Sequence, residues 1–137
     1  EDTRKWLGNG EVLDMKDHVR WFDTITRPDV DTYRIACCDG EDIGLLRVTR
    51  LDHEQKTACV GADVFSKWRG RGFGHLLFKA SCDLAVSKGA TRALYLWVFQ
   101  DNERALKIYE KAGFKRTGQE KEIRSRKYIH MLKSLWV

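Results

Sequence analysis

Apolar positions recur along this chain with two periods, and the switches between them mark its elements. Arg4, Trp6 and Leu7 predict a short helix in residues 1–10, ended by Gly8-Asn9-Gly10. Asp14-Met-Lys-Asp17 supplies an N-cap with an acidic first turn, and a helix is expected from there to about Thr26. Its apolar side is Met15, Val19 and Phe22, with Trp21 and Ile25 beside them. After the loop Arg27-Pro28-Asp29 the period shortens to two: Tyr33-Arg-Ile35-Ala-Cys37 alternates like a strand, and Asp39-Gly40 is a hairpin turn. Ile43 to Leu51 is the returning strand. A polar turn at Asp52 to Lys56 leads into a third strand, Ala58 to Phe65.

The helical period returns at Phe73, Leu76, Leu77, Ala80 and Leu84, one buried face of a helix that closes at Gly89. Ala93 to Phe99 is an unbroken apolar run, the mark of a central strand covered on both faces. A second amphipathic helix, Glu103 to Ala112, stops at Gly113. Phe114 opens a short strand, and Lys127 to Leu132 is a last one antiparallel to its neighbour. Helices, antiparallel strands, helix, strand, helix and two strands make an α+β protein with one mixed sheet.

One junction in this order carries chemistry. Between the third strand and the following helix lies Trp68-Arg69-Gly70-Arg71-Gly72-Phe73-Gly74-His75. Three glycines at alternate positions let the backbone bend sharply and let a ligand approach its N–H groups. A helix start adds unpaired donors and the positive end of the dipole. With Arg69 and Arg71, the turn is suited to a diphosphate. It is not a phosphate loop of the Gly-Lys-Ser/Thr kind, because no Gly-Lys-Ser/Thr sequence closes it. It is not the dinucleotide fingerprint, because its third glycine comes one residue early and His75 takes the expected place.

Composition narrows the classes. A chain of 137 residues, 42% hydrophobic and 33% charged, is expected to form one domain, residues 1–137, with a single core. It has no apolar run near the length of a membrane span and no signal-peptide pattern, so a cytoplasmic location is expected. Cys37, Cys38, Cys59 and Cys82 lack metal-ligand spacing; reduced thiols and no metal are the expectation. The net charge of +5 suits an anionic ligand. The 25 basic residues are spread along the chain rather than gathered in a stripe, which argues against nucleic acid.

Arg69-x-x-Gly72-x-Gly74 resembles the Arg/Gln-x-x-Gly-x-Gly/Ala signature of the GNAT superfamily, the acetyl-CoA-dependent N-acetyltransferases. Val98-x-x-x-Asn102-x-x-Ala105-x-x-x-Tyr109-x-x-x-Gly113-Phe114 is similar to that family's other motif, in the correct order. The resemblance implies the GNAT fold: a mixed, mostly antiparallel sheet with helices on both faces. A V-shaped splay opens between its central strands, and pantetheine pairs there as a pseudo-strand. The resemblance runs from about Tyr33 to the C-terminus. Trp6 and Asp17-His18-x-x-Trp21-Phe22 are similar to the branch of ribosomal-protein N-terminal and amino-sugar acetyltransferases. The family usually opens with a strand before its first helix; here that strand looks absent, or the native start lies upstream.

By this resemblance Ala62, Asp63 and Val64 pair with pantetheine, and backbone N–H groups around Asp63 and Val64 receive the thioester carbonyl. Arg69, Gly70, Arg71, Gly72, Phe73, Gly74 and His75 hold the diphosphate. Asn102 contacts the pantetheine or diphosphate region; it is equally a helix N-cap, and the two roles are compatible. Tyr109 is the general acid, since a phenol stays protonated at pH 7 and can donate to a departing thiolate; as an ordinary tyrosine it would pack in the core. Family members often carry a base glutamate where this chain has Trp97. Asp63 is the alternative carboxylate, and His18, His53, His130 or a water chain are others. Trp6, Trp21, Trp68 and Trp97 either line an acceptor pocket or pack the core. Arg104, Lys107 and Lys111 either reach the phosphates or form a solvated face. The implied function is direct acetyl transfer to a primary amine of an acceptor that the sequence does not identify, a small molecule or a peptide (a protein N-terminus, an amino sugar or another small amine), by a monomer or homodimer; a non-catalytic acyl-CoA-binding module is the alternative.

Overall fold

The computed structural model describes residues 19–27 and 29–135. The elements are β1 (Val19–Arg27), β2 (Asp31–Cys38), β3 (Glu41–Asp52), β4 (Thr57–Val64), α1 (Phe73–Ser87), β5 (Ala93–Phe99), α2 (Glu103–Lys111), β6 (Lys115–Ile123) and β7 (Arg126–Ser134). A short 3₁₀ turn, Ser66–Trp68, joins β4 to the glycine stretch. The seven strands form one sheet in the order β1-β2-β3-β4-β5-β7-β6. Neighbours are antiparallel except β4 and β5, which run parallel. A parallel pair needs a crossover, and α1 supplies it.

The helix expected from Asp14 to Thr26 is corrected where it is described. Residues 19–27 form β1, paired antiparallel with β2 from Val19 opposite Cys38 to Arg27 opposite Asp31. Val19, Trp21 and Ile25 fall on alternate positions as well as on the apolar side of the expected helix, and Val19, Thr24, Ile25 and Thr26 are β-branched. Backbone pairing with β2 decides between the two periods, and periodicity alone could not. The short helix near Trp6, the acidic first turn, His18 and the expected absence of an opening strand fall on residues 1–18, outside the described residues.

Alternate residues of the sheet point to opposite faces, and the two faces differ. Leu46, Val48, Ala58, Val60, Leu94, Leu96, Val98 and Met131 join Phe73, Leu77 and Phe78 of α1, Leu106 of α2 and Phe114 in one buried core. Burial of this apolar area is the main force holding the helices to the sheet. Gly44 allows the close approach: a Cβ there would overlap the Leu77 side chain and the Asp63 carbonyl. Residues 95, 97 and 99 of β5 point the other way and are only half-buried. The unbroken apolar run of β5 is therefore not sealed on both faces by described residues. α1 and α2 touch through Phe78 and Tyr109, ring centroids 4.6 Å apart, on the core side. Among the described residues, both helices lie on the core face. Among the described residues no helix is long and apolar enough to cross a membrane.

Candidate functional site

The site begins where the sheet comes apart. β4 and β5 pair over three positions: Thr57 opposite Ala93, Ala58 opposite Leu94 and Cys59 opposite Tyr95. β4 then runs on to Val64 along β3, and β5 runs on to Phe99 along β7. Among the described residues, the edge of β4 facing β5 has no strand partner beyond Cys59. Unpaired N–H and C=O groups on such an edge can accept an extended ligand as they would a strand.

A groove of about 1140 Å³ opens at this splay, walled by the end of β4, the glycine turn, the start of α1 and one face of α2. Gly72 is the N-cap of α1, with φ 85° and ψ 3°, a left-handed conformation that disfavours any residue with a Cβ. A Cβ built on Gly72 would meet nothing within 4 Å, so the turn faces open space. No side chain caps α1, and no acidic residue occupies its first turn. Its first N–H groups therefore lack side-chain acceptors and carry the positive end of the helix dipole. Gly74 serves a different purpose: a Cβ there would come within 3.0 Å of Ile108, so it allows α1 and α2 to approach. Arg69 donates from Nε to the Val64 carbonyl at 3.0 Å, tying the turn to the end of β4.

α2 forms the opposite wall. Asn102 is its N-cap, accepting the Ala105 N–H at 3.1 Å, and Glu103 occupies its first turn. Ala105, Ile108 and Tyr109 recur at helical spacing and line the groove. Tyr109 packs on Phe78, and burial raises its phenol above the ordinary value; Arg47 pulls the other way, and Asp63 adds to the rise. Tyr109 is therefore protonated at neutral pH. Asp63 pairs with Arg47 at 3.2 Å, both partly exposed. The Arg47 guanidinium lies over Gly61, where a Cβ would come within 2.8 Å of it.

The groove brings together Ala62, Asp63, Val64, Arg69, Gly70, Gly72, Phe73, Gly74, His75, Asn102 and Tyr109. Arg71 stands apart from this wall, its guanidinium stacked over Trp68 at 4.8 Å from the ring centroid. Trp68 lines the groove, as do Arg104, Lys107 and Lys111. Trp97 lies on the other face of the sheet, edge-on to His130 with centroids 4.8 Å apart. His130 is buried beside Thr117, Nδ1 to Oγ1 at 2.8 Å, and burial with Lys121 nearby lowers its pKa, so it is neutral at pH 7. His53 contacts the Asp29 carbonyl at 2.7 Å, outside the groove lining. Cys37, Cys38, Cys59 and Cys82 are free. Burial raises the thiols of Cys38 and Cys59 and pushes Cys82 up to about 12, so these three are poor nucleophiles. Sequence reasoning missed Phe78, Ala105 and Ile108 as lining residues, although their spacing to Tyr109 on α2 held the signal for the last two. Arg47 gave no signal, because its place beside Asp63 depends on strand register.

Comparison with known proteins agrees with this geometry. A family model described as "Acetyltransferase (GNAT) family" matches residues 2–114. The L-amino acid N-acetyltransferase AaaT of Escherichia coli (strain K12) is 29% identical over 124 residues, which cover 87% of this chain and 75% of that protein. The spermidine N(1)-acetyltransferase of the same strain is 30% identical over 82 residues, 60% of this chain and 44% of that protein. The crystal structure of spermidine N-acetyltransferase from Vibrio cholerae in complex with CoA and spermine superposes with a TM-score of 0.72 at 19% identity, covering 80% of this chain and 68% of that one. At that identity the structural likeness speaks for the fold.

Proposed function

The chain belongs to the acetyltransferase (GNAT) family, and on that premise we propose that it moves the acetyl group of acetyl-CoA directly to a primary amine. The observation that carries this reading is the uncapped start of α1, with Gly72 left-handed, facing the same groove as the protonated Tyr109. The diphosphate of acetyl-CoA would bind the free N–H groups of α1, and Arg104, Lys107 and Lys111 are close enough to the groove to add charge. Pantetheine would lie along the unpartnered edge of β4 from Ala62 to Val64.

The amine nitrogen adds to the thioester carbonyl carbon while backbone N–H groups near Asp63 and Val64 stabilise the oxyanion. The carbon–sulfur bond then breaks, and Tyr109 passes its hydroxyl proton to the departing sulfur. The nitrogen loses a proton to Asp63 or to water, and solvent restores the phenol. No covalent enzyme intermediate is needed, which agrees with buried, poorly acidic thiols.

A second reading, a non-catalytic acyl-CoA-binding module, is favoured by one observation: Trp97 stands where family members often carry a glutamate base. Calorimetric titration with acetyl-CoA, beside CoA lacking its 3′-phosphate, tests the shared part of both readings. Micromolar, near-stoichiometric binding is expected, and no binding at millimolar ligand overturns both. Thiol release with an amine panel then separates them, since the module would bind acetyl-CoA and release none.

A further inference from the structure

Strand register sorts the charges of the β6–β7 hairpin onto two faces. Lys121 is paired with Tyr128, and Tyr128 with Phe99, so Lys121 shares a face with Phe99, Trp97 and His130. Arg126 reaches the same face: its guanidinium lies 5.1 Å from the Phe99 ring centroid. The Lys121 ammonium lies 4.2 Å from the Trp97 centroid. Glu120 is paired with Ile129, a core residue, and so points the other way, where its carboxylate meets Lys127 at 3.5 Å. Of the carboxylates on this side of the sheet, Asp63 is engaged by Arg47, and Asp52 acts on Tyr95 together with Arg50. Among the described residues, neither Lys121 nor Arg126 is in an ion pair.

This face borders the splay, and the cationic field crosses it. The Cys59 thiol on β4 feels Lys121 together with Arg47 and Arg50, each favouring its anionic form against burial. Trp97, on β5 beyond its last pair with β4, is half-buried, with the Lys121 ammonium against its ring. A polyamine would bring several positive charges against these cations, at a cost that like charges always carry in a partly dehydrated site. A carboxylate held over the same surface would be stabilised by them.

We propose that the acetyl acceptor is an amine that also carries a carboxylate, of the amino-acid kind. Lys121 and Arg126 receive the carboxylate, and Trp97 and Phe99 receive an apolar side chain. The inference rests on the N-acetyltransferase reading above and adds the acceptor's charge to it.

The test compares L-phenylalanine, phenethylamine and spermidine as acceptors for the native protein and for Lys121→Met and Lys121→Glu, with acetyl-CoA titrated calorimetrically into each. Phenethylamine is phenylalanine without its carboxylate. The native protein is expected to favour phenylalanine over both other amines by about tenfold or more in kcat/KM. Lys121→Met keeps an apolar stem over Trp97 and should lose most of that preference through KM; Lys121→Glu should abolish it. Both variants should bind acetyl-CoA as the native protein does, because Lys121 is absent from the groove lining. Lys121 is exposed on an edge strand, so both should fold. Preference for spermidine or phenethylamine by the native protein, an unchanged preference in Lys121→Glu, or acetyl-CoA binding with transfer to none of the three amines each overturns the proposal. Failure to bind acetyl-CoA would instead sink the reading beneath it.

Discussion

Two helices begin on the same groove, and they begin differently. α2 opens with Asn102, whose side chain accepts the Ala105 N–H, and with Glu103 against the dipole. Its first turn is supplied with acceptor and negative charge from within the chain. α1 opens with Gly72, which has no side chain to offer, and has no acid in its first turn. Ordering Gly72 on folding costs more conformational entropy than ordering another residue would, and it returns no cap. A helix start left in that state, facing a groove, is prepared for an anion from outside. The self-sufficient terminus presents Tyr109 two turns along; the unsatisfied one is the binding element.

The strongest way to break this contrast is to give α1 the charge it lacks. Gly72→Glu should weaken acetyl-CoA binding on the order of a hundredfold or more, by setting a carboxylate where diphosphate is held. The positive φ of Gly72 would strain any side chain, so Gly72→Ala is the control. It carries the strain without the charge and should retain most of the affinity in calorimetry. Equal losses in the two variants would mean that backbone geometry, and not the open positive terminus, governs the site.

The contribution of α2 is expected in turnover instead. Tyr109→Phe keeps the ring against Phe78 and removes the proton. Its kcat should fall by about a hundredfold, with acetyl-CoA affinity within about threefold. Unchanged kcat would remove Tyr109 as the acid. The pH profile sharpens the assignment. An acid must be protonated to act, and burial raises the Tyr109 pKa above an ordinary phenol's. Native kcat/KM should therefore rise as the amine deprotonates and show no alkaline fall below about pH 10.

The glycine turn, α1 and α2 were legible in the sequence because their signals are local, whereas the splay was expected only from the family resemblance. Period-3.6 faces, Gly72 and Gly74 at fixed offsets, and Asn102 seven residues before Tyr109 depend on no distant partner. β1 was misread because Val19 to Thr26 fits both periods, and its pairing with β2 is what settles it. The Arg47–Asp63 pair and the segregation of Lys121 from Glu120 arise from strand register, which couples residues far apart in the chain. Arg71 had the right charge at a signature position, yet its guanidinium is drawn to the Trp68 ring.

Asn102 decides whether the capped terminus is capped only for its own sake. As a cap, Asn102→Ala should cost about 1 kcal/mol of stability, read as a lower midpoint in denaturant titration with an unchanged slope. Asn102→Asp restores a cap of equal quality, so its stability should return to the native value. Ligand contact behaves otherwise. If the Asn102 amide donates to acetyl-CoA, the aspartate cannot replace it and adds a negative charge beside the diphosphate, so affinity should fall in Asp as well as in Ala. The contrast between the two helix starts predicts the first pattern: stability rescued by Asp, and acetyl-CoA affinity in the Ala variant within about threefold of native. Affinity lost in both variants would show the α2 terminus to be part of the ligand site too, joined to the unsatisfied start of α1 across the groove.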